Sequence, residues 1–284
     1  MARAAASTLT PEGAMSAGAL GRRLATTVVA IPLVVWIVAG APAWLFPLVV
    51  VLVGAGATYE LIALLKRAGH ATLGALVVAL GALVTASFAS PAAAAPLFAL
   101  VIAAGIALAA PLRGAGVLSV EPAATALMAI VYVDAMLGHA IWLHRLPDGP
   151  WLVVSLLIMT WVGETAAYLV GSTMGRHKLA PVVSPNKTIE GAGAQVLFTV
   201  AAAVAVGAWL LPAWSVLSCM GAGVLVGIVG QVGDLAESAI KRSAHVKDAG
   251  GLIPGHGGLL DRLDSLVFNV PAFFYYVVLT GGRA

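Results

Sequence analysis

Charged side chains are scarce in this sequence. Asp, Glu, Lys and Arg make up 10% of the 284 residues and hydrophobic residues make up 61%, whereas an ordinary soluble domain carries roughly 25% charged residues. This balance excludes a soluble globular domain. We therefore interpret the chain as an integral membrane protein, and no nucleic acid is expected as a partner.

Cysteine and the histidine patterns typical of zinc sites are also missing. The single Cys219 cannot form an intrachain disulfide, so cysteine usage indicates neither an oxidising compartment nor a thiolate metal site. His245 and His256 form neither an HExxH motif nor another paired spacing. The sequence therefore gives no indication of redox chemistry or of a zinc centre.

Long apolar runs are what the sequence has in abundance. They approach the roughly 20 residues that a bilayer-spanning helix needs, and they lack the alternation of barrel strands. The fold class predicted from them is an all-α polytopic membrane protein with about nine transmembrane helices. These helices are expected near residues 24–40, 43–65, 72–90, 92–110, 124–143, 151–171, 192–211, 214–236 and 263–281.

The basic residues predict the orientation of these helices. If Arg22 and Arg23 lie in the cytoplasm, positive charge should recur in every second loop. The opposite side then receives Arg145 and Arg283 alone. The cytoplasmic loops receive Lys66, Arg67, Arg113, Arg176, Lys178, Lys187, Lys241, Arg242, Lys247 and Arg262. The sequence therefore predicts a cytoplasmic N-terminus and a C-terminus on the other side.

The chain divides into three parts on this prediction. Residues 1–23 are Ala-, Ser- and Gly-rich and are expected to be a disordered cytoplasmic segment. Residues 24–145 hold the N-terminal transmembrane helices, about five in number. Residues 146–284 hold the remaining helices with two polar cytoplasmic loops, 172–191 and 237–262. A signal peptide ending near "AGA" is an alternative for the start, but we favour an uncleaved first helix.

Three aspartates gather around the second polar loop. Asp234 lies at the end of the eighth predicted helix, and Asp261 and Asp264 open the ninth, where a spacing of three would put both on one helical face. Carboxylates at a membrane edge are costly, so they indicate a function unless they merely cap helices or form ordinary salt bridges. Hard oxygen ligands without cysteine favour Mg²⁺.

Basic and glycine residues are interleaved with these carboxylates. Lys241, Arg242, Lys247 and Arg262 flank the aspartates and could hold several phosphates against a metal. The run "GGLIPGHGG" permits a close backbone approach to a phosphate, although it matches neither a Walker nor a dinucleotide-binding pattern. The pattern indicates a site for a phosphorylated substrate.

A second polar stretch, Gly171 to Gly191, lies in the other cytoplasmic loop. Ser184, Lys187, Thr188 and Glu190 carry donors and acceptors suited to a nucleotide, and "SPNKTIE" is also typical of a helix cap. Glu164 and Tyr168, one helical turn apart, precede this stretch.

The run "SAIKRSAHVKDAGGLIPGHGGLLDRLD", Ser238 to Asp264, resembles the signature of the phosphatidate cytidylyltransferases, or CDP-diacylglycerol synthases. The shared positions are a serine, Lys-Arg, Lys-Asp, a proline, His-Gly-Gly and Asp-Arg-x-Asp. "HKLAPVVSPNKTIEG" is similar to the family's second cytoplasmic motif. The similarity runs from about Trp161 to Phe268, and "YELIALLK" around Glu60 is a weaker echo.

The resemblance implies transfer of the cytidylyl group of CTP to phosphatidic acid, giving CDP-diacylglycerol and pyrophosphate for phospholipid synthesis. It implies Mg²⁺, with a monovalent cation such as K⁺, a homodimer, and an active site at the cytoplasmic face of a bacterial inner membrane. Asp234, Asp261 and Asp264 would hold the metal and, with Lys241 and Arg262, form the catalytic group. Substrate would be bound by Ser184, Lys187, Thr188, Glu190, Arg242, Lys247, Asp248, His256, Gly257, Gly258, Glu164 and Tyr168.

Two acidic residues depart from the family pattern. Where the family usually has an aspartate before Thr-Gly-Ala-Tyr, this chain has "ETAAY", so that Glu164 reaches one methylene farther. Asp134 in the fifth predicted helix matches no family position, and we interpret it as a buried polar contact or as part of another cavity.

Two other functions remain open at this point. A CTP-dependent lipid or polyprenol kinase, or a cytidylyltransferase for another lipid phosphate, would use the same groups. A cation-coupled transporter with carboxylates inside its helices, such as Glu60, Asp134 and Glu164, belongs to a different class.

Overall fold

The computed structural model describes residues 31–110, 119–246, 249–250 and 258–281, and most of these residues are helical. Helix α1 is described over residues 31–39. The helices that follow are α2 Leu45–Arg67, α3 Ala75–Ser87, α4 Ala95–Ala109, α5 Glu121–Arg145, α6 Gly149–Met174, α7 Ile189–Leu210, α8 Val216–Ser243 and α9 Asp264–Thr280. Each coincides in position with one predicted helix. The predicted disordered segment 1–23 lies outside the described residues.

Five helices of the described chain are long and apolar enough to cross a membrane, namely α2, α5, α6, α7 and α8. Helices α3, α4 and α9 are also apolar but shorter. The predicted all-helical membrane fold is therefore confirmed in its broad form. The number of nine crossings, the orientation of the termini and the three-part division of the chain stay predictions.

Small residues bring the C-terminal helices together. Helices α6, α7, α8 and α9 pack in chain order, each against the next. A Cβ atom at Gly223 of α8 would lie 2.5 Å from the Cα of Val200 in α7, and one at Gly227 would lie 2.9 Å from the Cα of Val196. Close approach of the two backbones thus requires glycine at both positions, as expected for packing inside a membrane.

A short β-hairpin, which the sequence did not predict, stands between α6 and α7. Strand β1, Lys178–Ala180, pairs antiparallel with β2, Ser184–Thr188, and Lys178 lies opposite Thr188. Thr188 ends the hairpin and caps α7, because its side-chain oxygen accepts the N–H of Gly191 at 3.2 Å. The predicted helix cap is confirmed.

The second polar loop is shorter than predicted, because α8 continues to Ser243 instead of ending near residue 236.

The prediction that Asp261 and Asp264 share one face of an α-helix was wrong. Asp261 lies in a separate 3-10 turn, Leu260–Arg262, which the N–H of Leu263 closes by bonding to the Leu260 carbonyl at 3.0 Å. Helix α9 begins at Asp264, so the two carboxylates belong to different helical segments.

Asp134 is a buried polar contact in the N-terminal half. It lies fully buried in a π-helical turn of α5, Ile130–Ala135. The hydroxyl of Thr58 on α2 donates to its carboxyl at 2.6 Å, and the hydroxyl of Thr85 on α3 donates at 3.2 Å. The carboxyl thereby joins three helices, which is consistent with a role in packing.

Candidate functional site

A salt bridge joins the β-hairpin to the membrane helices. Lys187 projects from β2, and its Nζ lies 2.6 Å from Oδ2 of Asp234 on α8. Both side chains are partly exposed, at 24% and 31%. The structure thus brings together two predicted site residues from different motifs and leaves both accessible to a ligand.

Lys241 forms a second charged cluster, deeper in the protein. Its Nζ lies 2.7 Å from Asp261 and 3.3 Å from Glu237, which sits one turn earlier on α8 and is fully buried. Lys241 itself is largely buried. In the described structure its charge compensates two carboxylates, so its predicted contact with a substrate phosphate stays a prediction.

Asp261 holds the chain around it through backbone groups as well as through Lys241. Its carboxylate accepts the N–H groups of Ala249 at 3.2 Å and of Gly258 at 2.9 Å. Burial by itself would raise the pKa of Asp261, but the hydrogen bonds from Lys241, Gly258 and Ala249 outweigh it and hold the pKa below its ordinary value. Asp261 is therefore an ionised anchor for the backbone at Ala249 and Gly258.

Glu60 is a further candidate site residue, which the sequence had not placed among the residues that bind substrate or metal. It lies on α2 with 3% of its surface exposed, and its carboxylate accepts the N–H of Leu260 at 2.9 Å. A Cβ atom added at Gly250 would lie 2.6 Å from this carboxylate, and one added at Gly258 would lie 2.8 Å from it. The weak echo "YELIALLK" was the available signal, but a contact between positions 60 and 260 has no local pattern.

Two cavities open on either side of Asp234. The first, here called the hairpin cavity, has a volume of about 560 Å³. Most of its side chains are polar or charged, and they include Lys178, Asn186, Lys187, Thr188, Gln195 and Gln231. Glycines of α6 and α7, Gly171 and Gly191, also line it. These groups are suited to a polar, negatively charged ligand.

The second cavity, here called the apolar cavity, has a volume of about 870 Å³. Its walls come mainly from apolar side chains of α1, α2, α5 and α6, among them Val34, Val50 and Leu156. Charged residues line it too, namely Glu164, Asp234, Asp261, Arg262 and Asp264. Glu164 and Asp234 line both cavities.

Gly233 explains why Asp234 and Asp264 lie at the same place. A Cβ atom at Gly233 would lie 2.6 Å from the carbonyl oxygen of Asp264, so α8 and the start of α9 touch through their backbones. One oxygen of the Asp264 carboxylate accepts the N–H of Ser265 at 2.7 Å.

Two other predicted residues, Glu190 and Arg242, hold the β-hairpin against neighbouring helices. Glu190 accepts the N–H groups of Arg176 and His177 at 3.1 to 3.3 Å, and its carboxylate lies 2.6 Å from the His177 ring, so that it fastens the hairpin to the end of α6. Arg242 donates to the carbonyl of Val183 at 3.3 Å and ties the hairpin to α8. Both residues therefore have a structural role in the described protein.

Ser184 and Tyr168 were both predicted to bind substrate. Ser184 pairs with Ala180 in the hairpin, and the exposed Tyr168 lines the hairpin cavity. Lys247, Asp248, His256 and Gly257 lie outside the described residues, so their predicted contacts with substrate are untested.

Within the described ranges, no group of three His, Cys, Asp or Glu side chains is arranged to hold a metal ion. Asp234 is paired with Lys187 and Asp261 with Lys241, so the predicted three-aspartate centre is not preassembled there. The donors still suit Mg²⁺, because this ion is usually bound by one or two carboxylates together with substrate phosphates. The metal role of Asp234, Asp261 and Asp264 stays a prediction.

Comparison with known proteins identifies the family. The cytidylyltransferase family matches residues 21–280 of the chain. This protein is a member of that family. The match covers both cavities and the charged clusters, so the predicted resemblance is confirmed.

Curated relatives match a shorter part of the cytidylyltransferase chain. The uncharacterized protein YnbB of Escherichia coli is 47% identical over 146 residues, 50% of this chain and 49% of that protein. The phosphatidate cytidylyltransferase of Synechocystis is 43% identical over 146 residues, 49% of this chain and 47% of its own. That of Staphylococcus aureus is 38% identical over 149 residues, 52% and 56% of the two chains. The chain thus spans about half the length of the curated relatives it matches.

Proposed function

We propose that this protein transfers the cytidylyl group of CTP to phosphatidic acid, producing CDP-diacylglycerol and pyrophosphate for phospholipid synthesis. Relatives named phosphatidate cytidylyltransferase support this activity. The observation that carries it is the junction of two unlike cavities at Glu164 and Asp234. A water-soluble nucleotide and a membrane lipid need such different surroundings on the two sides of one reaction centre.

The hairpin cavity is the proposed site for CTP. Its basic residues Lys178 and Lys187 can neutralise phosphate charge, and its amide side chains can orient the nucleotide. Lys187 is paired with Asp234 at 2.6 Å in the ligand-free protein. We infer that Lys187 turns from Asp234 to a phosphate of CTP when the nucleotide binds, since both partners are accessible.

The apolar cavity is the proposed site for phosphatidic acid. Its charged end, where Arg262 and Asp264 lie, borders the reaction centre, and its apolar walls continue into the helix bundle. The lipid headgroup would lie at the charged end. This arrangement fits a site at the inner interface of a bacterial cytoplasmic membrane, as the positive loops predict.

The chemistry needs no catalytic triad. The phosphate of phosphatidic acid is already ionised, so one of its oxygens attacks the α-phosphorus of CTP, the bond from that phosphorus to the α–β bridging oxygen breaks, and pyrophosphate departs. The protein brings two polyanions together and aligns them, while Lys187 and Arg262 offset their repulsion. Asp234 and Asp264 would hold Mg²⁺, which would supply further positive charge beside the phosphates.

Pyrophosphate release tests this function directly. Purified protein in detergent is given CTP, with and without phosphatidic acid and Mg²⁺, and the lipid product is identified by mass spectrometry. Pyrophosphate and CDP-diacylglycerol appearing together, and only with both additions, is the expected result. Release of CDP with transfer of phosphate alone would instead identify a lipid kinase.

Folded protein that makes neither product from any lipid phosphate would contradict the proposal and return attention to transport. The homodimer and the monovalent cation implied by the family resemblance are separate proposals. Mass photometry of the purified protein, and activity measured with K⁺ replaced by a bulky organic cation, would test them.

A further inference from the structure

The apolar cavity also has an end far from its charged residues. Val38, Phe46, Leu143 and Val153 line it, and each lies within a few residues of an end of its helix. The charged residues Glu164 and Asp234 lie well inside α6 and α8. The cavity therefore runs lengthwise between the helices, from the reaction centre to the level where α2 and α6 begin.

The length of this cavity matches one leaflet of a membrane. Val153 and Glu164 both line it from α6, and the helical rise places them about 16 Å apart. The hydrocarbon core of a bilayer is about 30 Å thick, so one leaflet contributes about 15 Å. An acyl chain of a bilayer lipid is thus comparable in length with the apolar part of the cavity.

Phe46 lines the far end of the cavity and packs against His144. Their rings stack with centroids 4.3 Å apart and an angle of 16° between their planes. The His144 ring is itself fixed, because its Nε2 donates to the carbonyl oxygen of Val38 at 2.8 Å. Helices α1, α2 and α5 are therefore joined at this end by one aromatic contact and one hydrogen bond, which resist displacement better than a lone side chain.

We propose that the apolar cavity holds one acyl chain of the phosphatidic acid substrate, and that the Phe46–His144 pair limits the length of chain accepted. This inference rests on the proposed function for the identity of the headgroup. The occupant follows from continuity, since the residues that border the reaction centre also line the cavity. A chain too long for the cavity would meet the Phe46 ring before its phosphate reached the reaction centre.

Two opposite substitutions test the length limit. Phe46→Ala removes the ring at the far end of the cavity and should raise kcat/KM for long-chain relative to short-chain phosphatidic acid, on the order of tenfold for the longest chain newly admitted. Val50→Phe, one helical turn from Phe46 on the cavity wall, should shift the ratio toward short chains. The ratio is measured with a series of saturated phosphatidic acids from dioctanoyl to distearoyl.

Phe88→Ala is the matched control. Phe88 is a buried phenylalanine of the same helix-end region that packs on His139 and Trp142. Its replacement should leave the chain-length ratio unchanged, even where it lowers stability. A ratio that stays at the wild-type value in both Phe46→Ala and Val50→Phe would overturn the length limit.

A crosslinking readout separates this inference from the enzymatic one. A photoreactive benzophenone amino acid at position 50 should crosslink to phosphatidic acid. Lipids whose acyl chains fit the cavity should compete for this crosslink, and lipids with longer chains should compete less. If no lipid is cytidylylated but this crosslink forms, the proposed function fails and the acyl site stands. Crosslinking to residues 1–30 of the chain itself would show that the protein fills its own cavity and would overturn the acyl site.

Discussion

The carboxylate of Glu60 on α2 accepts the backbone N–H of Leu260 at 2.9 Å, across 200 positions of the chain. The bond joins the N-terminal helices to the turn that presents Asp261. Glycines at 250 and 258 leave room for the same carboxylate. We therefore expect Glu60 to be a positioning residue, which would act on the proposed reaction centre through the backbone that carries Asp261.

Replacing Glu60 should impair catalysis more than substrate capture. Glu60→Ala leaves the Leu260 N–H unsatisfied at a cost of about 1–3 kcal/mol, which corresponds to a roughly fivefold to 150-fold lower kcat/KM. We expect most of the loss in kcat, with Glu60→Gln retaining more activity because its amide oxygen still accepts. Glu121→Ala is the control, because Glu121 is exposed and pairs only with His70 among the described contacts. Equal activity of Glu60→Ala and wild type would contradict the positioning role.

Gly258→Ala should lower activity without unfolding the helices. The added Cβ would lie 2.8 Å from Glu60 and 2.9 Å from Asp261, closer than ordinary contacts allow. Gly193→Ala is the matched control, since nothing lies within 4 Å of its added Cβ and alanine favours a helix by about 0.5–1 kcal/mol. Turnover is measured beside helical circular dichroism, and an active Gly258→Ala would show that the loop tolerates displacement.

Asp234→Asn should abolish most of the activity while the protein stays folded. The change removes a charge at the junction of the two cavities with little change of shape, so we expect a loss on the order of hundredfold in kcat. Asp261→Asn is a poorer test, because Asp261 also anchors backbone and Lys241. Asp148→Asn serves as control: Asp148 lies in the short connection between α5 and α6 with φ of 57°, a conformation that asparagine also adopts. Wild-type turnover in Asp234→Asn would refute its metal role.

Lys187→Met should chiefly raise the KM for CTP. Loss of a charge-assisted contact to phosphate costs about 1.5–3 kcal/mol, so the KM should rise roughly tenfold or more. The KM for phosphatidic acid should change little. Lys66→Met, in the last turn of α2, removes an exposed positive charge away from both cavities and should alter neither constant. An unchanged CTP dependence in Lys187→Met would remove Lys187 from the nucleotide site.

Gly81→Ala should destabilise the N-terminal half. Its Cβ would lie 2.1 Å from the buried Asp134 carboxyl, and overpacking of this kind costs about 1–3 kcal/mol. Gly105→Ala in α4 meets nothing within 4 Å and should be neutral or stabilising. Thermal unfolding in detergent compares the two variants, and an equal melting temperature would mean that α3 can move away from Asp134.

Much of the fold was predictable because membrane helices are encoded locally. Each apolar run is long enough to predict a helix by itself. Thr188 predicts the start of α7, because it precedes an acidic first turn. The β-hairpin was missed because a strand of three residues, Lys178–Ala180, has no periodicity to read. The end of α8 was misplaced because charged residues mark a membrane boundary, whereas hydrogen bonding continues the helix to Ser243.

The candidate site was predictable in its residue types and less so in its pairings. The sequence analysis named Asp234, Asp261 and Lys241 as candidate site residues, but it did not give the partners that these residues have in the structure. Lys187 reaches Asp234 from the hairpin, and Lys241 compensates Glu237, which was not among the predicted site residues. Ion pairs of this kind depend on distances between side chains in the folded protein, which the spacing of residues along the chain does not give.

The sequence by itself determined that this protein lies in a membrane, where its helices fall and which charged motif it carries, because hydrophobic length and short fixed spacings are local properties. The tertiary structure alone decided that Glu60 supports the turn of Asp261, that Phe46 on the wall of a cavity stacks on His144, and that two unlike cavities meet at Glu164 and Asp234. These relationships arise from helix packing, which joins residues far apart in the chain without leaving a local pattern.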